Sequence, residues 1–181
     1  MPYFTFYGCE QLTGVLPSDI NVITSSLFAY GPRRLVRRHL KTVQKWFDLY
    51  RGIVMPAQCD LYGHMNVRHY AALFDDAGWH ILSCAGISLA DLRARGLGSV
   101  VASLTIDFHH EMKAGNLALI QGSFTRVGVK SFSYEMRLYE TDSMTHCATQ
   151  KTVEVCFDTE KRASAHFPGD IHAKLVAMVS I

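Results

Sequence analysis

Within one seven-residue stretch, Asp60-Leu61-Tyr62-Gly63-His64-Met65-Asn66, the chain gathers a carboxylate, an imidazole, an amide and a glycine. Asn66 suits a helix start, because its side chain can accept from the first backbone N–H groups. Gly63 lets the intervening loop turn sharply. A helix beginning after Asn66 leaves N–H groups at about Val67 and Arg68 without intrahelical partners, and these carry the positive end of the helix dipole. A carboxylate facing such donors is suited to attack on an acyl carbonyl. Asp60 would be the nucleophile, or the base that activates water. The N–H groups would polarise the carbonyl and hold the oxyanion. His64 can orient Asp60, bind water or contact substrate; it can equally fix the loop. Asn66 reads first as a cap, with its amide able to place water.

Other reactive side chains make weaker cases. His109-His110-Glu111 suggests a metal, but adjacent strand residues point to opposite faces, so the two rings should not converge. Cys59 adjoins Asp60, whose charge would raise a thiol's pKa rather than activate it. Asp75 and Asp76 fall mid-helix, where a solvated or interface face is the plainer reading. No metal is expected.

These residues need elements to position them. From Asn66, the residues Tyr70, Leu73, Phe74, Ala77, Ile81, Leu82 and Ala85 recur at helical spacing and predict one long helix stopped at Gly86. Trp46 to Met55 reads as a strand before it. After it, Leu89 to Arg95 predicts a helical turn. Strands follow over Val100–His110, Leu117–Val127, residues 131–140 and Met144–Asp158. In residues 131–140, Phe132, Tyr134, Met136 and Leu138 alternate with polar positions, a half-buried antiparallel strand. Residues 171–181 can form a terminal helix. A single helix segregated from a run of strands implies α+β, with the helix lying across a five-stranded antiparallel sheet.

The chain has 181 residues, 49% of them hydrophobic, which suits one domain with a sizeable core. Eighteen Lys and Arg against 16 Asp and Glu leave a charge of only +2, which argues against a nucleic-acid binder. The basic excess is concentrated in residues 33–45, leaving the remainder mildly acidic. Five widely spaced cysteines without a CxxC pair argue against a disulfide framework or structural zinc. No run is long and apolar enough to span a membrane. Residues 11–45 contain one acid, Asp19, a composition that leaves organelle transit open; the location otherwise expected is cytoplasmic. Residues 1–45 therefore read as a basic N-terminal extension, 46–168 as the domain, and 169–181 as a tail or short helix.

Asp60-x-x-Gly63-His64-Met65-Asn66, followed by Tyr70 and Phe74, resembles the active-site signature of hotdog-fold acyl-CoA thioesterases, most closely the 4-hydroxybenzoyl-CoA thioesterase type. The segments Phe108 to Asn116, Gly128 to Glu135 and Ala148 to Asp158 resemble later strands of that family, in the right order. The resemblance spans about residues 46–168. It implies a hotdog fold and a homodimer or homotetramer with sites at subunit interfaces. It also implies hydrolysis of an acyl-CoA to free acid and coenzyme A. Asp60 matches the family's catalytic carboxylate, and the N–H near Val67 its carbonyl-polarising donor. No cofactor is implied, since coenzyme A is part of the substrate. Tyr62, Gly63 and Phe74 are candidates for substrate contact, with Trp79 and Met112 as further pocket residues. Arg126, Lys130 and Lys151 are candidates for the phosphates. Asn116 stands where the family commonly has Asp, and Val67-Arg68-His69 makes the pocket rim more basic than usual. Two rivals share the fold: an acyl-thioester hydratase or dehydratase, disfavoured by the Asp60-x-x-x-His64 spacing, and a non-catalytic acyl-CoA-binding module, disfavoured by the presence of Asp60.

Overall fold

A computed structural model describes residues 44–179. The expected N-terminal arm and nearly all of the basic segment lie outside the described residues. Strand β1 (Phe47–Ile53) leads through a 3-10 turn at Pro56–Gln58 into helix α1 (Val67–Gly78). Short helices α2 (Ile81–Cys84) and α3 (Leu89–Ala94) follow. Four strands come next: β2 (Leu97–Phe108), β3 (Leu117–Val127), β4 (Ser131–Glu140) and β5 (Thr145–Asp158). A two-residue strand β6 (Ala163–Ser164) and helix α4 (Gly169–Val179) close the described chain.

The strands run β1-β3-β4-β5-β2, antiparallel throughout, with β6 paired to β5. This is the α+β hotdog arrangement that the resemblance implies, a helix laid against an antiparallel sheet. It differs from expectation in two places. The sheet has a sixth strand, β6, too short to leave a periodic signal. The long helix breaks after Gly78, at Trp79 and His80, before α2 resumes. The break is invisible in the apolar pattern because Ile81 and Leu82 are buried in the same core as Phe74 and Ala77.

The core lies between α1 and α2 and the sheet. Phe132, Tyr134, Met136 and Leu138 on β4 are buried, as their alternation requires. Tyr70, Leu73, Phe74 and Ala77 supply the apolar stripe of α1. Gly78 lets the helix approach closely: a methyl group there would stand 3.1 Å from the Tyr134 hydroxyl oxygen. Helix α4 packs along β3 and adds Ile171 and Leu175 to the core. Its first turn is tied by a bidentate pair, Arg95 Nη1 and Nη2 each 2.9 Å from an Asp170 carboxylate oxygen. No described helix is long and apolar enough to cross a membrane.

Candidate active site

The Asp60 loop is closed by its own backbone. The Asp60 N–H donates to the His64 carbonyl (3.0 Å), and the Gly63 N–H to the Asp60 carbonyl (3.0 Å). Cys59 and Met65 form an isolated antiparallel bridge at its base. Gly63 has φ +84°, the left-handed turn its lack of a Cβ allows. Outside the loop, the Asn66 N–H donates to the Gln58 carbonyl (2.9 Å) and the Met65 N–H to the Met112 carbonyl (2.7 Å). The second bond ties the loop to the segment leaving β2. Seven residues thus form a rigid turn between a 3-10 helix and α1.

Asn66 is the N-cap of α1, and its Oδ1 accepts from the Arg68 N–H at 3.2 Å. That takes one of the expected donors. The Val67 N–H makes no hydrogen bond among the described residues and is the open one. Asp60 Oδ1 accepts from the Tyr62 N–H at 2.9 Å, which fixes the carboxylate, while its Oδ2 has no hydrogen bond among the described residues. His64 lies between two carboxylates, its Nδ1 3.9 Å from Asp60 Oδ1 and its Nε2 3.4 Å from Glu111 Oε1. Neither distance is a direct hydrogen bond of ordinary strength.

Asp60, His64, Asn66 and Val67 line one cleft of about 360 Å³. Met65, Tyr70, Phe108, His109, His110 and Glu111 complete it. The Tyr70 hydroxyl oxygen accepts from the Met112 N–H at 3.0 Å, and its ring meets Phe108 edge-on at 5.1 Å. Burial pushes the Tyr70 phenol above its ordinary range. His109 and His110 reach the same cleft because β2 ends at Phe108: both of their N–H groups donate to the Cys147 carbonyl (2.8 and 3.1 Å). The sequence reading carries the strand on to His110; here it stops at Phe108, and both histidines line the cleft. The Thr149 hydroxyl bridges His109 Nε2 (3.0 Å) and His146 Nε2 (2.9 Å). Burial first, then His109, hold His146 below the usual histidine range. No group of three metal-ligating side chains occurs among the described residues.

Other candidate residues lie elsewhere. Tyr62 is exposed and stacks over His64, with ring centroids 6.1 Å apart. Phe74 and Trp79 line a second cavity further along α1, and Met112 is fully buried. Arg126 and Lys130 are exposed at the β3–β4 hairpin, and Lys151 is exposed on β5. None of the three lines the Asp60 cleft. Tyr70 belongs to the signature segment read from the sequence, whereas Phe108 and the His109-His110-Glu111 run were not expected at the cleft.

Residues 54–175 match the model of the thioesterase-like superfamily. No curated protein matches the chain. Among solved structures, the chain is similar to Slr0204, a 1,4-dihydroxy-2-naphthoyl-CoA thioesterase from Synechocystis, at 20% identity and TM-score 0.62, covering 73% of this chain and 96% of that one. It is similar to SAV2348 from Staphylococcus aureus, solved in complex with CoA, at 17% identity and TM-score 0.67, covering 76% and 85%. It is also similar to YbaW, a probable thioesterase from Escherichia coli, at 20% identity and TM-score 0.62, covering 75% and 98%. At these identities the likeness is one of fold.

Proposed function

The chain is a thioester hydrolase of the thioesterase-like superfamily, and from that premise we propose that it hydrolyses an acyl-CoA at the Asp60 cleft. The observation that carries the reading is the pairing of an anchored carboxylate with an open helix-start donor in one cleft. The acyl carbonyl oxygen accepts from the Val67 N–H, which polarises the carbonyl and holds the oxyanion as it forms. Asp60 Oδ2 then acts by one of two routes. It attacks the carbonyl carbon itself, expelling the thiolate of coenzyme A and leaving a mixed anhydride that water hydrolyses. Otherwise it takes a proton from water as that water attacks. In both, the C–S bond breaks, the acid is released and the thiolate takes up a proton. His64 supports the carboxylate, and the CoA complex of SAV2348 supports the choice of thiol.

Thiol release from a panel of short, long and aromatic acyl-CoAs tests the activity. Asp60→Asn should lower kcat by roughly 10²–10⁴-fold; full activity in that variant would sink the mechanism. Single turnover in ¹⁸O-water detects direct attack when water opens the anhydride at its Asp60 carbonyl. Label enters the Asp60 carboxyl only if it attacked directly.

The expected partner is a second copy of this chain, seated on β2. That strand is an edge, with no strand on its outer side among the described residues. It exposes Val100, Val101, Leu104 and Phe108. An unpaired edge carrying apolar side chains is a template for strand pairing, and Phe108 lines the Asp60 cleft, so pairing there would wall the site. Arg126 and Lys130 do not line the cleft of their own chain, so a phosphate role for them requires the cleft of a partner. Among the described residues, Cys59, Cys147 and Cys156 are free thiols, as a reducing compartment such as the cytoplasm allows.

A further inference from the structure

Strand β5 contradicts its own hydrophobic pattern. Val153 and Val155 sit on its partly exposed side, whereas Gln150, Thr152 and Glu154 face inward at 4%, 2% and 8% exposure. Burying a carboxyl group costs free energy unless it is partnered. Glu154 is partnered by residues from two other strands. The Tyr134 hydroxyl on β4 donates to its Oε1 at 2.6 Å, and the Ser99 hydroxyl on β2 donates to its Oε2. These groups border a cavity of about 270 Å³ whose walls include Phe74, Leu82, Leu92 and Leu97. A fold needing only a core would place the valines inside. This one keeps a polar floor under an apolar chamber, the composition of a small-molecule site.

The chamber adjoins the cleft. Val67 and Tyr70 of α1 line the cleft, and Ala71 and Phe74, on the next turn, line the chamber. On β2, Phe108 lines the one and Leu104 the other. An acyl group whose carbonyl sits at the start of α1 would enter the chamber after one to two helical turns, roughly 5–10 Å. Each Glu154 oxygen has accepted one hydrogen bond and keeps further acceptor capacity. Asp75 and Arg93 also line the chamber, but both are exposed at its rim, where water screens their charges. The buried polar lining is therefore Glu154 with Tyr134, together with Gln150, whose amide N–H donates to the Thr152 hydroxyl.

Resting on the thioesterase reading above, we propose that this chamber selects a compact acyl group whose far end donates a hydrogen bond, and that Glu154, with Tyr134 and Ser99, is the determinant that reads it. A terminal hydroxyl donates to Glu154. A terminal methyl leaves the buried carboxyl without that bond, and a terminal carboxylate meets a buried acid.

The test compares octanoyl-CoA, ω-hydroxyoctanoyl-CoA and octanedioyl-CoA with the full chain. The hydroxylated substrate should exceed octanoyl-CoA in kcat/KM by at least about tenfold, the discrimination expected of a site built around a buried hydrogen-bonding group. Octanedioyl-CoA should be the poorest of the three. In Glu154→Gln, the hydroxyl preference should shrink and the penalty on the terminal carboxylate should fall. Hydrolysis with octanoyl-CoA equal to or better than the hydroxylated substrate overturns this proposal and leaves the thioesterase reading standing. Failure to hydrolyse any acyl-CoA overturns both. The wild-type ratios decide the matter even if the variant does not fold.

Discussion

Asn66 holds the start of α1 through one bond from the Arg68 N–H, so Asn66→Ala should cost about 1 kcal/mol of stability, read as a lower Tm. Arg68 would regain a free N–H beside Val67, and KM and kcat would report whether the cap or the donor count matters more. Tyr70→Phe leaves the Met112 N–H buried and unpaired, at a cost of about 1–3 kcal/mol. Glu154 gives a prediction with a sign. Burial holds its carboxyl above the ordinary glutamate range, against the pull of Ser99 and Tyr134. Its favourable contribution is therefore full at acid pH and is lost as pH rises through the raised folded value. A glutamine side chain does not titrate, so the Tm of Glu154→Gln minus that of wild type should climb from the ordinary glutamate range upward; a difference independent of pH would refute the assignment. At this scale the sequence was most readable where chemistry is local. Asp60, Gly63 and Asn66 could be related by spacing alone. Glu154, Tyr134 and Ser99 meet only because three strands pair in one register, and no spacing announces that.

Elements were legible where their period was undisturbed. The alternation of β4 survives in its burial residue by residue, because both of its neighbours are strands and one face meets the helices. The end of α1 was not legible, since the break at Trp79 and His80 leaves the apolar phase of Ile81 and Leu82 intact. The inward face of β5 would be assigned to the wrong side by hydrophobicity, since its valines face outward. Packing between elements yields its own test. Gly122 on β3 sits under the Leu49 and Ile81 side chains, and a methyl group there would overlap Leu49. Gly122→Ala should destabilise by about 1–3 kcal/mol through overpacking, seen as a shift of the urea midpoint. Leu49→Val in the same background should recover part of the loss.

At the scale of the whole molecule the proposed β2 pairing supplies the test. A charge placed there, Leu104→Arg, should shift the sedimentation coefficient toward that of a single chain while far-ultraviolet circular dichroism stays that of the folded domain. A wild-type chain that sediments as a monomer at micromolar concentration would remove the β2 pairing. Apolar pattern alone could not reveal this edge, because the exposed Val100, Val101 and Leu104 read like any core strand. The closed Asp60 loop carries a different consequence. The reacting groups proposed for it are joined by bonds made inside a single short stretch, whereas the proposed reader of the acyl tip is assembled from distant parts of the chain. If both proposals hold, reactivity and selectivity are written in separable parts of the gene. On the proposed reading, substitutions at Ser99, Tyr134 or Glu154 should redirect the enzyme to new acyl groups while the bond-breaking machinery is inherited unchanged, which makes the chamber the place to begin a laboratory evolution of its specificity.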